Sequence, residues 1–447
     1  MEEILRQLQE TGGIIVRDEE ARLKSADVTV PATIQDIIAA RVDRLAEPLK
    51  HTLQGASIIG RRFGISLLSR VLEVPSDQVG GRLQDLHGLD FVFPSAQDPE
   101  LMYSFKHALT QDVVYTGVLE RRRRQYHAVA GHGLEELYAG RMDEVVELLA
   151  HHFGRSAEAE KAVDYAIVAA EKAQRRWANT EALAYFEDAL KRLSAMPDTE
   201  ANRLRRIDAV VKQAEVKFAL GRQAEHIQAL EGIREIVEGI PDMRRRAAWN
   251  YWTGFLHSLT GAPPDVSIGY CRQASAIADA EGLDDIKAFT DCCLAQVCTM
   301  AGQLADAVAA GERAVQFFEA KGNVWWACRA LWALISANVM GEWAQSLGYC
   351  RRALEHGQTV NDLRLKVAGW WRTGSTHAQR GDVDGALRCC EEALALSPIP
   401  FDAANIRAVK GYGLVKAGQT EAGIAELSEA LAWLDRSHLA HVSLFDL

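Results

Sequence analysis

The sequence predicts an all-α protein: a superhelical solenoid of helical hairpins, preceded by a small domain of short helices that carries one β-hairpin. Three observations predict it. Alanine and leucine are abundant, while only 11 of the 447 residues are proline and 7% are aromatic, a balance that favours helix over strand. A glycine recurs at Gly221, Gly261, Gly302, Gly341, Gly381 and Gly418, at intervals of 37 to 41 residues, each between two amphipathic stretches. From His107 onward no strand signal interrupts the chain. A period of this size without strands means stacked helix pairs. Glycine is expected there because a short turn demands a backbone shape that a side chain hinders.

The chain is too long for one core and suggests several domains or an extended array. Hydrophobic residues make up 48% and charged residues 25%, as in an ordinary globular protein. The net charge of −11 disfavours non-specific binding to nucleic acid or to an anionic membrane surface. No run of about 18 uncharged apolar residues is present, so no membrane span is expected. The segment MEEILRQLQE is not built like a secretion signal, and a cytoplasmic location is expected. All eight cysteines fall between Cys271 and Cys390 without a CxxC, the pattern of free buried thiols.

Three regions follow in order. Residues 1–25 hold a short helix over Glu2 to Thr11, closed by Gly12-Gly13, and an apolar run Ile14–Val16. Residues 26–118 hold four helices and a hairpin. Thr33 and Asp36 form an N-terminal capping pattern, and Ile34, Ile37, Ile38, Val42 and Leu45 recur at helical spacing. Further helices are expected over Glu47–Ile59 and Ile65–Leu72, and from Ser76 with Val79, Leu83 and Leu86 on one face. Two β-rich pieces, Asp90–Phe93 and Leu101–Phe105, flank a polar turn. Helices followed by a hairpin of this size read as a winged helix. Residues 119–447 are the repeats, with a period near 40.

The stretch WWRTGSTHAQRGDVDGALRCCEEALALSP resembles a tetratricopeptide repeat. Trp370 and Gly374 stand at that family's first-helix positions, Ala386 and Ala393 at its small second-helix positions, and Pro398 at its terminal proline. ANTEALAYFEDAL is a weaker unit, with Ala182, Phe186 and Ala189. The usual period is shorter than the one here, which implies longer helices.

A second resemblance covers residues 1–195. The segments VPATIQDIIAARVDRL, GASIIGRRFGISLL, YSFKHALTQDVVYTGVLERRRRQYH and ELLAHHF resemble, in this order, the C-terminal half of bacterial signal-transduction ATPases of the STAND type. Such proteins often carry a class III adenylate/guanylate cyclase domain. The resemblance implies the order ATPase, winged helix, helical repeats, with residues 2–11 as the last helix of the ATPase lid. No GxxxxGK[ST] loop occurs, so no residue here inherits nucleotide binding, and no cyclase signature is present. The chain is therefore expected to be a sensor or regulatory part and not an enzyme, with no catalytic, cofactor-binding or metal residue assigned.

Rival readings rest on particular residues. The helix from Ser76 would show Gln78, Arg82 and Asp85 to solvent, a poor major-groove reader, and residues 1–150 carry 17 basic and 23 acidic groups. A DNA-binding regulator is thus the runner-up reading. Arg121–Arg124 sit beside Glu120 on a helix and read as a salt-bridged solvated face. His151 and His152 diverge by about 100° around a helix and cannot both reach one ion unaided, although Glu147 lies one turn away.

The tryptophans cluster, eight of ten falling between Trp249 and Trp371. Most should be core. A solenoid's first helices also line a concave groove, and aligning the units on their glycines gives the groove-facing residues. These are Tyr251, Phe255 and Ser258 in one unit, then Phe289, Gln296 and Thr299, then Leu331, Ile335 and Asn338, then Trp371 and Ser375, and finally Tyr412. Aromatics interleaved with amides suit a protein or peptide partner, or a small-molecule effector. Self-association of the array also fits.

Overall fold

The computed structural model describes residues 14–17, 20–23, 34–97, 101–339, 341–396 and 398–436. The expected lid helix over residues 2–11 and the cap at Thr33 lie outside the described residues. The chain divides into two compact units, Met1–Lys172 and Ala173–Leu447.

In the first unit, β1 (Ile14–Arg17) and β2 (Glu20–Leu23) pair antiparallel. Helices Ile34–Asp43, Glu47–Ile59, Ile65–Leu72 and Ser76–Gly88 follow. They pack around a three-stranded antiparallel sheet of order β3-β5-β4, formed by Arg62–Gly64, Leu101–Phe105 and Val92–Gln97. The expected hairpin is therefore joined by a third strand. Three residues between two helices are too short for a period to register in the sequence. Phe63 of β3 fixes this strand in place, with its ring 6.4 Å from Tyr103 and 5.7 Å from Phe105. Val79, Leu83 and Leu86 enter the same core, as their spacing requires. Helices Ala108–Gly117, Glu120–Leu137 and Val146–Phe153 complete the described helical part of this unit before Ala159–Arg175.

The second unit is a solenoid. Among the described residues, helix Asn179–Ser194 is followed by six hairpins, the first helices being Glu200–Ala219, Met243–Leu259, Asp284–Met300, Val324–Asn338, Leu363–Arg380 and Pro400–Lys416. Side-chain N-caps start several of them: Thr199, Asp242, Asn323 and Asp362 each accept from a backbone N–H three residues on. Five of the six described turns inside hairpins close in one way, while at the remaining one the Gly341 and Glu342 N–H groups both return to the Asn338 carbonyl. Gly221, Gly261, Gly302, Gly381 and Gly418 all lie at φ between 72° and 87°, in the left-handed region. The next residue donates its N–H back into the helix: Arg222 to Lys217, Ala262 to His257, Gln303 to Cys298, Asp382 to His377 and Gln419 to Leu414, at 2.8–3.0 Å. This is the Schellman closure, which satisfies carbonyls the helix end leaves unpaired. Between hairpins the same closure recurs at Gly282, Gly322 and Asn361, where asparagine tolerates φ 52°.

First helices of successive hairpins also pack on one another, whereas second helices pack chiefly on their chain neighbours. The first helices therefore form the inner, concave layer. Close approach needs small residues. A Cβ on Gly374 would lie 3.1 Å from Cys389 and 3.2 Å from the Ala386 carbonyl, and Ala386 and Ala393 are fully buried.

Gly381 has open space around the position of a Cβ, so only its φ of 87° opposes a side chain there. Gly381→Ala is expected to lower stability by about 1–2 kcal/mol, read as a lower urea midpoint with an unchanged slope. His226 is buried with neither ring nitrogen hydrogen-bonded. Burial, with the Lys217 ammonium adding to it and Glu225 opposing, pushes its pKa down to about 3. The unfolded chain takes up this proton near pH 6.5 and the folded chain does not. Stability therefore falls as pH drops from about 6.5 towards 3, by up to about 1.4 kcal/mol per pH unit for this one group. His226→Leu should flatten the acid side of a stability–pH curve by up to that amount, and equal slopes for the two proteins would refute the account.

Candidate functional site

A cavity of about 300 Å³ opens in the second unit, lined by residues of all six first helices. Helical periodicity explains the convergence. Cys292, Gln296, Thr299 and Met300 form one face of their helix, and Arg364, Ala368, Trp371 and Arg372 form one face of another. Arg329, Trp332 and Ser336 line it from the helix between them. Phe218, Phe255 and Leu259 close one side, and Phe401 with Asp402 closes another.

The cavity's charges are unusual. Arg329 is 9% exposed and its guanidinium lies 4.9 Å from the Trp326 ring and 5.1 Å from Phe255. Arg364 stacks at 4.8 Å on Trp325 and 5.5 Å on Trp177. Among the described residues neither Arg329 nor Arg364 forms a hydrogen bond or an ion pair. Burial lowers the pKa of Arg364, although a guanidinium stays charged at any ordinary pH. Arg372 lies 4.3 Å from the Trp371 ring and donates to Ser336 Oγ at 3.1 Å.

The one acid in the lining is Asp402. Its Oδ1 accepts from the Trp371 indole N–H at 3.1 Å, and its Oδ2 is buried without a partner. Burial raises its pKa, against the smaller opposing pull of Arg364. The Trp332 indole N–H is also buried without an acceptor. Three guanidinium groups thus face one buried carboxyl in an aromatic enclosure.

Of the twelve groove residues read from the sequence, Phe255, Gln296, Thr299 and Trp371 come together at this cavity. Tyr251 and Phe289 stack on each other at 6.2 Å inside the core, Phe289 also lying 4.6 Å from Trp326. Leu331 is fully buried, and the Asn338 amide donates to the Leu334 carbonyl in its own helix. Tyr412 is half-buried, 5.4 Å from Lys416 Nζ. Ser258 bonds the Phe255 carbonyl, while Ile335 and Ser375 are buried. The arginines and Asp402 escaped the sequence reading. One signal was available: Arg329 is the only charge in its helix VWWACRALWALISAN.

The other sequence candidates have plain surroundings. Glu120 pairs with Arg123 and Arg124 at 2.8 and 3.0 Å, making the basic run a salt-bridged face. Glu147 is held by Lys172 at 2.7 Å. On helix Ser76–Gly88, Gln78 and Asp85 are exposed and Arg82 is half-buried. No described helix is long and apolar enough to cross a membrane.

The fold and cavity define a helical-repeat protein with an enclosed polar site on its concave layer. No protein-family model matches the chain, and no curated protein sequence matches it. Solved structures do. A Rap protein complexed with competence and sporulation factor is similar at 10% identity, covering 90% of this chain and 99% of that one, with a TM-score of 0.53. The Rap conjugation gene regulator of plasmid pLS20, in complex with the Phr* peptide, is similar at 12% identity, covering 87% and 95%, with a TM-score of 0.51. A STAND protein with a tetratricopeptide repeat sensor from Pyrococcus horikoshii aligns at 11% identity over 89% and 68%, with a TM-score of 0.40. At such identities the first two establish the shared helical-repeat fold alone.

All eight cysteines are free and buried, Cys292 lining the cavity. Burial pushes the Cys292 and Cys390 thiols up to about 12. A thiol reagent such as Ellman's is therefore expected to label essentially none of them in the folded chain at neutral pH and all eight after denaturation. Rapid stoichiometric labelling of folded protein would contradict this packing.

Proposed function

We propose that the chain is a sensor module whose concave cavity binds a protein or peptide partner through a carboxylate group. The observation that carries this reading is the pair Arg329 and Arg364, stacked on aromatic rings and left without a protein acceptor in an enclosed site. Burying a guanidinium without a hydrogen-bonding partner costs several kcal/mol. Cation–π contacts return about 2 kcal/mol each at best when desolvated. An incoming carboxylate supplies the missing acceptor in the bidentate geometry that a guanidinium favours. Gln296, Thr299 and Ser336 provide amide and hydroxyl groups for a peptide backbone. Two Rap proteins of the same fold are described in complex with a factor and with a peptide, which is in keeping with this use of the groove.

The motif order over residues 1–195 supports a finer reading. The four helices and three-stranded sheet of the first unit serve as a winged-helix domain, and the chain is the regulatory part of a STAND-type signalling ATPase or cyclase. The lining of the cavity, not an active centre, then receives the signal, and no catalytic role is assigned here. The location is cytoplasmic in this reading. The runner-up, a DNA-binding regulator, has on helix Ser76–Gly88 only Arg82, beside Asp85, to offer a phosphate backbone.

Acidic pentapeptides with free and with amidated C-termini, titrated against the tryptophan fluorescence of the full chain, test the proposal. Free-carboxylate peptides should bind, and Arg364→Ala should weaken them by about 1.5–3 kcal/mol, the worth of a charge-assisted hydrogen bond. Equal binding of peptides lacking every carboxylate, or no effect of Arg364→Ala and Arg329→Ala, would overturn it.

A further inference from the structure

In the first unit, three histidine rings converge. His151 and His152 are neighbours on helix Val146–Phe153, and on that helix alone they diverge. His127, from helix Glu120–Leu137, supplies what one helix could not. Its ring centroid lies 5.2 Å from His152 and 5.8 Å from His151, and the latter two are 5.2 Å apart. One nitrogen from each ring can be chosen so that all three lie within 4.8 Å of one another.

We infer that His127, His151 and His152 form a binding site for a divalent first-row transition metal of the zinc type, with one coordination position left open. The donor set is the argument. Three imidazoles suit zinc, which three protein nitrogens hold at about 2.0–2.1 Å in sites that keep a fourth position free. Tetrahedral geometry at that distance places the nitrogens about 3.3 Å apart, so the cluster need close by only about 1.5 Å. His127 Nδ1 and His152 Nδ1 are already 3.0 Å apart.

The surroundings fit. The far nitrogen of His127, Nε2, is hydrogen-bonded at 3.1 Å to the Tyr115 hydroxyl, the outer contact that orients a ligating imidazole. His127 and His152 are buried, whereas His151 reaches the surface and gives an ion its entry. Among the described residues no carboxylate pairs with any of the three rings, so the imidazoles are not committed to an ion pair. Glu147, one turn before His151, is held by Lys172 and is not among the donors.

One group opposes the metal. Arg155 donates to His151 Nδ1 at 3.0 Å and reaches the His151 carbonyl at 3.4 Å. Its side chain is exposed, so it can swing into water when an ion arrives. Arg155 thereby acts as the competitor that the ion must displace, and removing it should help binding. That sign is what a merely structural histidine cluster does not produce.

The test uses the full chain, stripped with chelator and titrated with Co(II), then with Zn(II) in competition. One equivalent of Co(II) should bind with visible absorption of low-symmetry coordination, and Zn(II) should displace it. His151→Ala, a surface substitution that leaves the fold intact, should weaken Co(II) by at least about tenfold. Arg155→Ala should strengthen it. Binding that persists unchanged in His151→Ala places the ion elsewhere and overturns the inference. So does the absence of a stoichiometric step below about 1 mM.

Discussion

Everything in the repeat unit depends on the left-handed residue between paired helices. A helix end leaves carbonyls unpaired, and reversing the chain within two or three residues requires a positive φ there. With glycine at Gly221, Gly261, Gly302, Gly381 and Gly418, each reversal has the same backbone hydrogen bond and the same geometry. Identical reversals stack successive hairpins in register. First helices then meet first helices, and residues three, four and seven apart on each converge on one inner surface. The cavity is a product of this register, since its lining comes from six helices separated by up to about 200 residues of chain.

The inner surface is where the fold carries its least comfortable groups. Other arginines of the same unit have carboxylates: Arg245 has Asp208 and Arg313 has Asp291. Arg329 and Arg364 have rings instead. The aromatic layer makes their burial tolerable without satisfying their donors. Local arrangements of this kind concentrate at binding surfaces, because groups unsatisfied in the free protein gain most when a complementary ligand arrives. The net charge of −11 sharpens the contrast: the arginine-lined cavity belongs to an acidic chain, whose surface discourages indiscriminate contact with polyanions.

The histidines differ in one physical respect, whether a carboxylate pairs with the ring. His257, His356 and His377 each face a carboxylate and act as ion-pair partners when protonated. His127, His152 and His226 are buried without one, and burial holds their pKa values down at about 3. Neutral buried imidazole has lone pairs to offer. In the first unit two such rings and the partly accessible His151 point at a common centre, whereas His226 is alone.

The sequence by itself determined the helical-repeat architecture. The glycine period, the capping residues and the spacing of Val79, Leu83 and Leu86 are local or periodic features, and each acts through the backbone of its own segment. Helices such as Glu47–Ile59 and Ile65–Leu72 were legible to the residue for that reason. The strand Arg62–Gly64 was not, because three residues gain their conformation from Phe63 packing against Tyr103 and Phe105, some 40 residues on. The site was legible in part. Phe255, Gln296 and Trp371 could be placed by register, but Tyr251 and Phe289 differ from them only by a fraction of a helical turn, and the tertiary structure alone assigns that rotation. Arg329, Arg364, Arg372 and Asp402 meet in one cavity, and His127 meets His151 and His152, only because helices distant in sequence are packed side by side. Periodicity specifies which face of a helix turns inward; only the packed structure decides which inward residues from different helices come within reach of a single ligand.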